Sequence, residues 1–228
     1  MKKPILILSA IVAALVLTYV ITTGLARQRL MATFNGIYSS GKWAQDSSGK
    51  GTSGPGSTLE ATHDYRAYIE EFIKSHGVRS VVDAGCGDWT FSSAINWNGA
   101  SYLGIDISSD VIKGVREKYE KGKIKFEVGD ATEDLPDADL LLCKDVLQHL
   151  PNELIHKFIK NNLRPGKYKW VILTNDRGPD NKDIAAGEHR TIDLSRPPFE
   201  VKGLVDLPLK YDSGIPKVTS LMNFTTQP

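Results

Sequence analysis

One short stretch constrains the fold of this chain more than any other. Residues 81–88 read Val-Val-Asp-Ala-Gly-Cys-Gly-Asp, an apolar run that passes an acidic residue and enters a pair of glycines. The apolar run predicts a buried strand, and the glycines predict a turn whose backbone a ligand can approach closely. A strand that ends in such a turn is typical of an open parallel α/β sheet, which binds ligands at the carboxyl ends of its strands.

The chain from residue 58 onward alternates strand and helix patterns. Apolar runs predict strands over residues 80–84, 102–106, 123–128, 138–143 and 170–174. Helical spacing predicts helices from Thr58 to Gly77, after a Ser108 cap to Tyr119, and over 154–163. This alternation predicts an α/β fold with a doubly wound parallel sheet. The tail differs, because residues 200–209 and 217–225 predict two strands of an antiparallel hairpin.

Three acidic residues end three successive predicted strands. Asp106 follows Asp83 by 23 positions (106 − 83), and Asp130 follows the third strand. An acidic residue about 20 positions after the glycine turn can accept both ribose hydroxyls of a nucleoside ligand. Because these strands end at one edge of the sheet, we expect the three carboxylates to line one site.

A dinucleotide is a poor candidate for the ligand of this site. Thr90 stands where the dinucleotide fingerprint has its third glycine, and the charges of Asp83 and Asp88 would repel a diphosphate. The same charges suit S-adenosylmethionine (SAM), which carries an ammonium and a sulfonium and no phosphate. An NAD-dependent enzyme is therefore disfavoured.

Four segments together resemble the class I SAM-dependent methyltransferases. They are residues 81–88, 102–107, 128–131 and 141–150, the last reading Leu-Leu-Cys-Lys-Asp-Val-Leu-Gln-His-Leu. The match covers roughly residues 58–225 and implies a seven-stranded Rossmann-like sheet that ends in an antiparallel strand. It also implies SAM as the cofactor. The residues expected to bind it are Ser57, Asp83, Gly85, Cys86, Gly87, Asp88, Asp106, Ile107, Asp130, Ala131 and Lys144.

The resemblance assigns parts of the cofactor to these residues. It implies that Asp83, Gly85 and Gly87 line the methionine part, that Asp106 binds the ribose, and that Asp130 with Ala131 lies near the adenine. Residues 144–149 would face both cofactor and substrate. The pattern of Phe34, Tyr38, Trp43 and residues 53–57 resembles a small subgroup that includes glycan-modifying enzymes of microbes and large viruses.

Transfer of a methyl group to a hydroxyl requires removal of the hydroxyl proton, preferably by a base poised near neutral pH. His149, Asp176 and His189 are the candidates. His149 could equally cap a turn, and His189 could be an ordinary residue of a polar loop. Asp180 and Asp183 lack His or Cys at ligand spacing, so no metal site is expected.

The N-terminal residues 4–26 contain no charged residue and are rich in Ile, Leu, Val and Ala. A helix needs about 20 apolar residues to cross a bilayer, so this run predicts a single-pass transmembrane helix. A cleaved signal peptide is the alternative, because Gly24-Leu25-Ala26 is a small-x-small site. Since SAM is made in the cytosol, we expect the catalytic domain there.

Residues 27–57 read as a connector that ends in a stretch rich in Gly and Ser. The stretch suits a flexible linker. We expect instead that residues 43–57 cover bound SAM as a lid, with Ser57 capping a helix that begins at Thr58 and receives the SAM carboxylate.

The sequence thus predicts three parts: an anchor over 4–26, a connector over 27–57 and a methyltransferase domain over 58–228. The expected reaction is methyl transfer to a small molecule or glycan, at oxygen. The alternative is a catalytically inactive SAM-binding scaffold tethered at a membrane. The net charge of +1 gives no general attraction to nucleic acid, so no nucleic-acid partner is expected.

Overall fold

The computed structural model describes residues 3–43, 52–211 and 216–225, without the side chains of residues 3–16 and 19. Four helices are described: α1 (Lys3–Ser39), α2 (His63–Ser75), α3 (Ser109–Tyr119) and α4 (Asn152–Asn162). The strands are β1 (Ser80–Ala84), β2 (Ser101–Asp106), β3 (Ile124–Val128), β4 (Ala138–Lys144), β5 (Tyr168–Asp176), β6 (Val205–Asp206) and β7 (Lys217–Asn223).

The seven strands form one mixed sheet in the order β3-β2-β1-β4-β5-β7-β6. The first five strands in this order are parallel, whereas β7 runs antiparallel to β5 and β6 antiparallel to β7. The predicted seven-stranded α/β sheet and its antiparallel end are confirmed. The chain order reverses direction between β1 and β4, and in open α/β sheets ligands bind beside such a switch point.

Apolar side chains pack on both faces of the sheet. One cluster joins Val82 and Leu141 to Leu30, Phe34 and Ile37 of α1. The other cluster lies on the opposite face, beneath α2 and α3. Each fully buried aliphatic or aromatic side chain contributes about 1.5–3 kcal/mol, so α1 is part of the folded domain from Leu30 onward.

The first strand of the predicted terminal hairpin is much shorter than expected. Residues 200–209 were expected to be extended, but β6 contains only Val205 and Asp206. Glu200 and Gly203 both have positive φ, 50° and 81°, and such residues interrupt an extended backbone. The hydrogen-bonding pattern resumes once after β6, where Leu207 N donates to Thr219 O at 2.8 Å.

The predicted helix start at Thr58 is wrong. Residues Pro55–Ser57 form a single 3₁₀ turn, and α2 begins only at His63. Thr58 is extended and begins a separate turn, in which its Oγ1 accepts from Ala61 N at 3.1 Å. Ser57 therefore does not cap α2, because its side chain lies a turn and a half before the helix.

The predicted transmembrane anchor is corrected by the structure. No helix among the described residues is long and apolar enough to cross a membrane. The described side chains of α1 begin at Leu17, which leaves about half of the roughly 20 residues a crossing helix needs before the exposed Arg27. Residues 4–16 of the predicted span lie outside the described side chains. The single-pass membrane localisation expected from that span is therefore wrong for the described residues.

Candidate active site

A cleft lies at the carboxyl ends of β1, β2 and β4 and contains about 840 Å³ of empty space, part of it open to solvent. Leu30, Phe34 and Tyr38 of α1 cover it. All eleven residues expected to bind the cofactor line this cleft: Ser57, Asp83, Gly85, Cys86, Gly87, Asp88, Asp106, Ile107, Asp130, Ala131 and Lys144. The structure thus brings them together, while their contacts with a cofactor stay a prediction.

The glycine turn after β1 forms the floor of the cleft. Gly85 N and Cys86 N both donate to Ile105 O, at 2.7 and 3.1 Å, which folds the turn back onto β2. Gly85 has φ +80°, and a Cβ there would lie 2.2 Å from a methyl carbon of Val146. Only glycine avoids both the backbone strain and the collision. Glycine at this position therefore lets the turn pack directly against Val146 while Gly85, Cys86 and Gly87 line the cleft.

Two acidic side chains of the cleft are buried carboxylates. Asp106 accepts from Gly87 N at 3.1 Å and from Ser108 N at 2.9 Å. Asp83 accepts from the Tyr102 hydroxyl at 2.6 Å. Burial raises the pKa of each carboxyl to about 6, against these hydrogen bonds, which act to lower it. A cation bound in the cleft would stabilise the ionised form of both groups.

Asp130 supplies the third carboxylate and is 6% exposed. Its Oδ1 accepts from the backbone and hydroxyl of Thr132, at 2.8 and 2.7 Å. Its Oδ2 lies 3.9 Å from Lys157 Nζ. Next to Asp130, Ile107 and Ala131 give the cleft an apolar wall.

The carboxylates and apolar walls of the cleft fit SAM. Acidic oxygens can accept from an ammonium and from ribose hydroxyls, and apolar walls suit an adenine ring. The concentration of carboxylates, in contrast, would repel a diphosphate.

Asp88 joins the cleft to the segment that precedes α2. Its Oδ1 accepts from Thr90 N at 3.0 Å, and its Oδ2 accepts from Thr52 N and from Ser53 N. In return, Asp88 N donates to Ser53 Oγ at 2.9 Å. The predicted lid over 43–57 is therefore fastened at its described end, residues 52–57. Residues 44–51 lie outside the described residues, and the lid function stays a prediction.

A buried ionic group continues from the cleft. Lys144 Nζ donates to Gly56 O at 2.7 Å and to Asp145, and Asp145 also pairs with Lys217. Burial lowers the pKa of Lys144. Burial alone would raise the pKa of Asp145, but the two ammonium groups lower it. Lys217 in turn lies 2.8 Å from Asp176 Oδ1.

A second cavity, with about 940 Å³ of empty space, adjoins the cleft. The two share the lining residues Trp43, Ser53, Asp145 and His149. His149 Nδ1 lies 2.8 Å from Glu188 O. Because a carbonyl can only accept, Nδ1 carries the hydrogen and the neutral ring keeps its lone pair on Nε2. Burial lowers the pKa of His149, which favours this neutral form.

The three candidate bases lie together at the second cavity. Asp176 Oδ2 lies 2.9 Å from His189 Nε2, and the rings of His149 and His189 are 5.5 Å apart between centroids. Asp176 and His189 line the second cavity but not the cleft, whereas His149 lines both. Among the three candidates, His149 thus stands between the two spaces.

One residue of the site, Lys217 beside the second cavity, was missed from the sequence. Four others fell only within broader patterns: Tyr38 in the aromatic pattern, Ser53 in the expected lid, and Asp145 and Gln148 in the segment 144–149. Asp145 and Gln148 fell within the segment expected to face the cofactor, which was a usable signal. Lys217 gave none, because a lysine that begins a terminal strand normally reads as exposed.

Comparison with known proteins finds similarity to methyltransferases. A family model described as a methyltransferase domain matches residues 81–166. A ubiquinone biosynthesis O-methyltransferase from Coxiella burnetii is 29% identical over 99 residues, which are 41% of this chain and 41% of that protein. The matched region therefore spans less than half the length of this curated relative.

Solved structures share the fold. The methyltransferase domain of bacterial CtHen1-CN has 16% sequence identity and a TM-score of 0.54, and covers 73% of this chain and 100% of its own. Magnesium protoporphyrin IX methyltransferase from Synechocystis, solved with bound SAM, has 19% identity and a TM-score of 0.50, and covers 72% of this chain and 81% of its own. At these identities the likeness concerns the fold.

Proposed function

We propose that this chain carries a class I SAM-dependent methyltransferase domain and that it transfers the methyl group of SAM to a hydroxyl oxygen of a small molecule. One observation carries this proposal. The cofactor cleft and a second cavity of similar size meet at His149, a residue that both spaces share. A base at such a junction can reach an acceptor hydroxyl held next to the cofactor.

The cleft residues hold the cofactor in this proposal. Asp83 and the backbone of Gly85 and Gly87 bind the methionine part, Asp106 binds the ribose hydroxyls, and Asp130 with Ala131 contacts the adenine. When bound, SAM supplies a methyl carbon that its sulfonium makes electrophilic. The cleft holds SAM so that the acceptor approaches the methyl carbon in line, and such positioning supplies much of the acceleration of a displacement reaction.

His149 removes the proton of the acceptor hydroxyl. The hydrogen bond from Nδ1 to Glu188 O leaves Nε2 as the proton acceptor. The lowered pKa of His149 keeps the ring neutral at pH 7 and so ready to act as a base. Asp176 and His189 lie in the same cavity and supply polar groups beside the acceptor.

The choice of oxygen and of a small molecule has support from the comparisons. The curated relatives are ubiquinone biosynthesis O-methyltransferases, which match at 26–31% identity over part of their length. A glycan hydroxyl is the second acceptor class, as expected from the aromatic and glycine-rich pattern before α2. An inactive scaffold is disfavoured, since His149 and a second cavity adjoin the cofactor cleft as a transfer reaction requires.

The test uses the full chain with SAM labelled in its methyl group. We expect labelled product from a panel of phenols and other small hydroxyl compounds. His149→Ala should keep its SAM affinity and lose about 10²–10⁴-fold in turnover, the usual effect of removing a general base. His63→Ala is the matched control, because the side chain of His63 is 78% exposed.

The outcomes separate the alternatives. Transfer to oligosaccharides but not to small hydroxyl compounds would select the glycan class, and transfer to amines would overturn the assignment to oxygen. SAM binding without transfer to any acceptor would favour the scaffold. Full activity of His149→Ala would remove that residue from the mechanism.

A further inference from the structure

Lys217 begins β7 and is almost fully buried, with 4% of its side chain exposed. In the ladder between β5 and β7 it lies opposite Asp176. Its Nζ lies 2.8 Å from Asp176 Oδ1 and pairs on its other side with Asp145 Oδ1. Desolvation offsets most of the attraction within a buried ion pair. A gain in stability therefore explains the burial of Lys217 poorly. Its effect on the neighbouring side chains explains that burial better.

Asp176 is held from several directions. Lys217 contacts its Oδ1, and Gln148 Nε2 donates to its Oδ2 at 3.1 Å. The backbone N of Asp176 donates to Gln148 Oε1 at 2.7 Å. The side-chain amide of Gln148 therefore binds both the backbone and the carboxylate of Asp176. The carboxylate plane is thereby fixed, with Oδ2 toward the second cavity.

The fixed carboxylate determines the form of His189. His189 Nε2 lies 2.9 Å from Asp176 Oδ2. An ionised carboxylate can only accept, so Nε2 of His189 carries a hydrogen. In the neutral ring the lone pair is then on Nδ1. His189 lines the second cavity, where its ring is 5.5 Å from that of His149 between centroids.

We propose that Lys217 is a positioning residue for the methyl transfer, acting through Asp176 to hold His189 in the Nε2-protonated form. The inference rests on the function proposed above. His149 takes the proton of the reacting hydroxyl, and Nδ1 of His189 accepts a hydrogen bond from another polar hydrogen of the acceptor. The acceptor class is thus a molecule with at least two hydrogen-bond donors, one of which reacts.

The test compares three versions of the full chain labelled with ¹⁵N in histidine: wild type, Lys217→Arg and Lys217→Met. Long-range ¹⁵N–¹H spectra at about pH 8 report which nitrogen of each ring carries the hydrogen. We expect His189 to be Nε2-protonated in wild type and in Lys217→Arg, which keeps the charge. In Lys217→Met we expect both forms, because Asp176 loses the cation that orients it.

A merely structural role would not change the form of the ring. Lys202→Met is the matched control, since Lys202 is exposed and does not line the second cavity. If Lys217→Met does not fold, Asp145→Asn/Lys217→Met replaces it. This double variant keeps the buried group electrically balanced, with Lys144 and Asp176 remaining. Unchanged Nε2 protonation in whichever variant folds would overturn the inference.

Kinetics provide the second readout. With a confirmed acceptor, Lys217→Met should lower kcat/KM for that acceptor at least tenfold while its SAM affinity changes less than twofold, and Lys217→Arg should restore most of the loss. An equal loss of SAM affinity would assign Lys217 a structural role instead. Absence of methyl transfer in wild type would contradict the proposed function. The spectroscopic test of Lys217 would still be valid, because it does not depend on methyl transfer.

Discussion

Asp83 and Asp106 are buried carboxylates whose ionised forms are costly without a cation nearby. Burial raises the pKa of both to about 6. In the domain without ligand, these two groups therefore contribute stability at low pH that is lost as the pH rises through about 6. SAM affinity has the opposite pH dependence, because a cationic ligand with ribose hydroxyls needs ionised acceptors. Its affinity should fall as the pH drops through about 6.

Asp106→Asn tests this at a single residue. At pH 7.5 the variant should lose about 1–3 kcal/mol of SAM binding free energy, because hydrogen bonds to a charged acceptor are lost. Its affinity should also change less between pH 7.5 and 5.5 than that of wild type. Calorimetry at both pH values measures the two effects. The control is Asp110→Asn, an exposed aspartate in the first turn of α3. Wild-type affinity in Asp106→Asn at pH 7.5 would exclude Asp106 from the site.

At the scale of elements, the segment 52–57 is tied to the glycine turn by reciprocal bonds. Ser53 Oγ accepts from Asp88 N and lies 3.4 Å from the Tyr38 hydroxyl. Gly87 permits this approach, because a Cβ there would lie 2.5 Å from Ser53 Oγ. One serine hydroxyl thus joins α1, the turn after β1 and the segment before α2. This junction is where the predicted lid meets the cofactor cleft.

Ser53→Ala should loosen that junction without unfolding the domain. Loss of one hydrogen bond costs about 1 kcal/mol, so SAM should dissociate about fivefold faster while the melting temperature without SAM changes little. Stopped-flow measurement of SAM release tests this, with Ser93→Ala as the control. The Ser93 hydroxyl donates to Thr90 O at 2.7 Å and lies outside the cleft. Equal release rates in wild type and Ser53→Ala would argue against a lid.

For the whole molecule, the sequence predicted what local patterns determine. The apolar runs that end in Asp83, Asp106 and Asp130 located β1, β2 and β3 and the edge of the sheet where the site lies. Local geometry also confirmed Ser108 as the cap of α3, since its side chain accepts from Val111 N at 3.3 Å. Such features depend on residues a few positions apart, which is why they can be read directly.

The remaining parts of the site depend on contacts between distant segments. Lys217 pairs with Asp145 across 72 positions, and this contact exists only because β7 inserts beside β5. Tyr38 reaches the cleft because α1 folds back over the sheet. The start of α2 was misplaced for a related reason: residues 53–57 are bound to the turn after β1 and to the end of β4 rather than wound into the helix. No local pattern carries that information.

The covering of the cleft by α1 leads to a prediction about truncation. Residues up to 26 have exposed side chains where the structure describes them, whereas Leu30, Phe34 and Ile37 are buried in the core. Arg27 contacts the domain from its guanidinium to Val128 O at 3.3 Å. A chain of residues 27–228 should therefore keep its fold and its SAM affinity.

A chain of residues 44–228 should lose both. Leu30, Phe34 and Ile37 together contribute about 4.5–9 kcal/mol at about 1.5–3 kcal/mol each, which is comparable to the whole stability of a typical domain, about 5–15 kcal/mol. Their removal also uncovers the cleft that Tyr38 and Trp43 line. Urea unfolding and SAM calorimetry of the two truncated chains measure the difference, with the 27–228 chain as the internal control. If the 44–228 chain unfolds at the same urea concentration and binds SAM as tightly, α1 is an appendage, and the cleft must be complete within the sheet and its remaining helices.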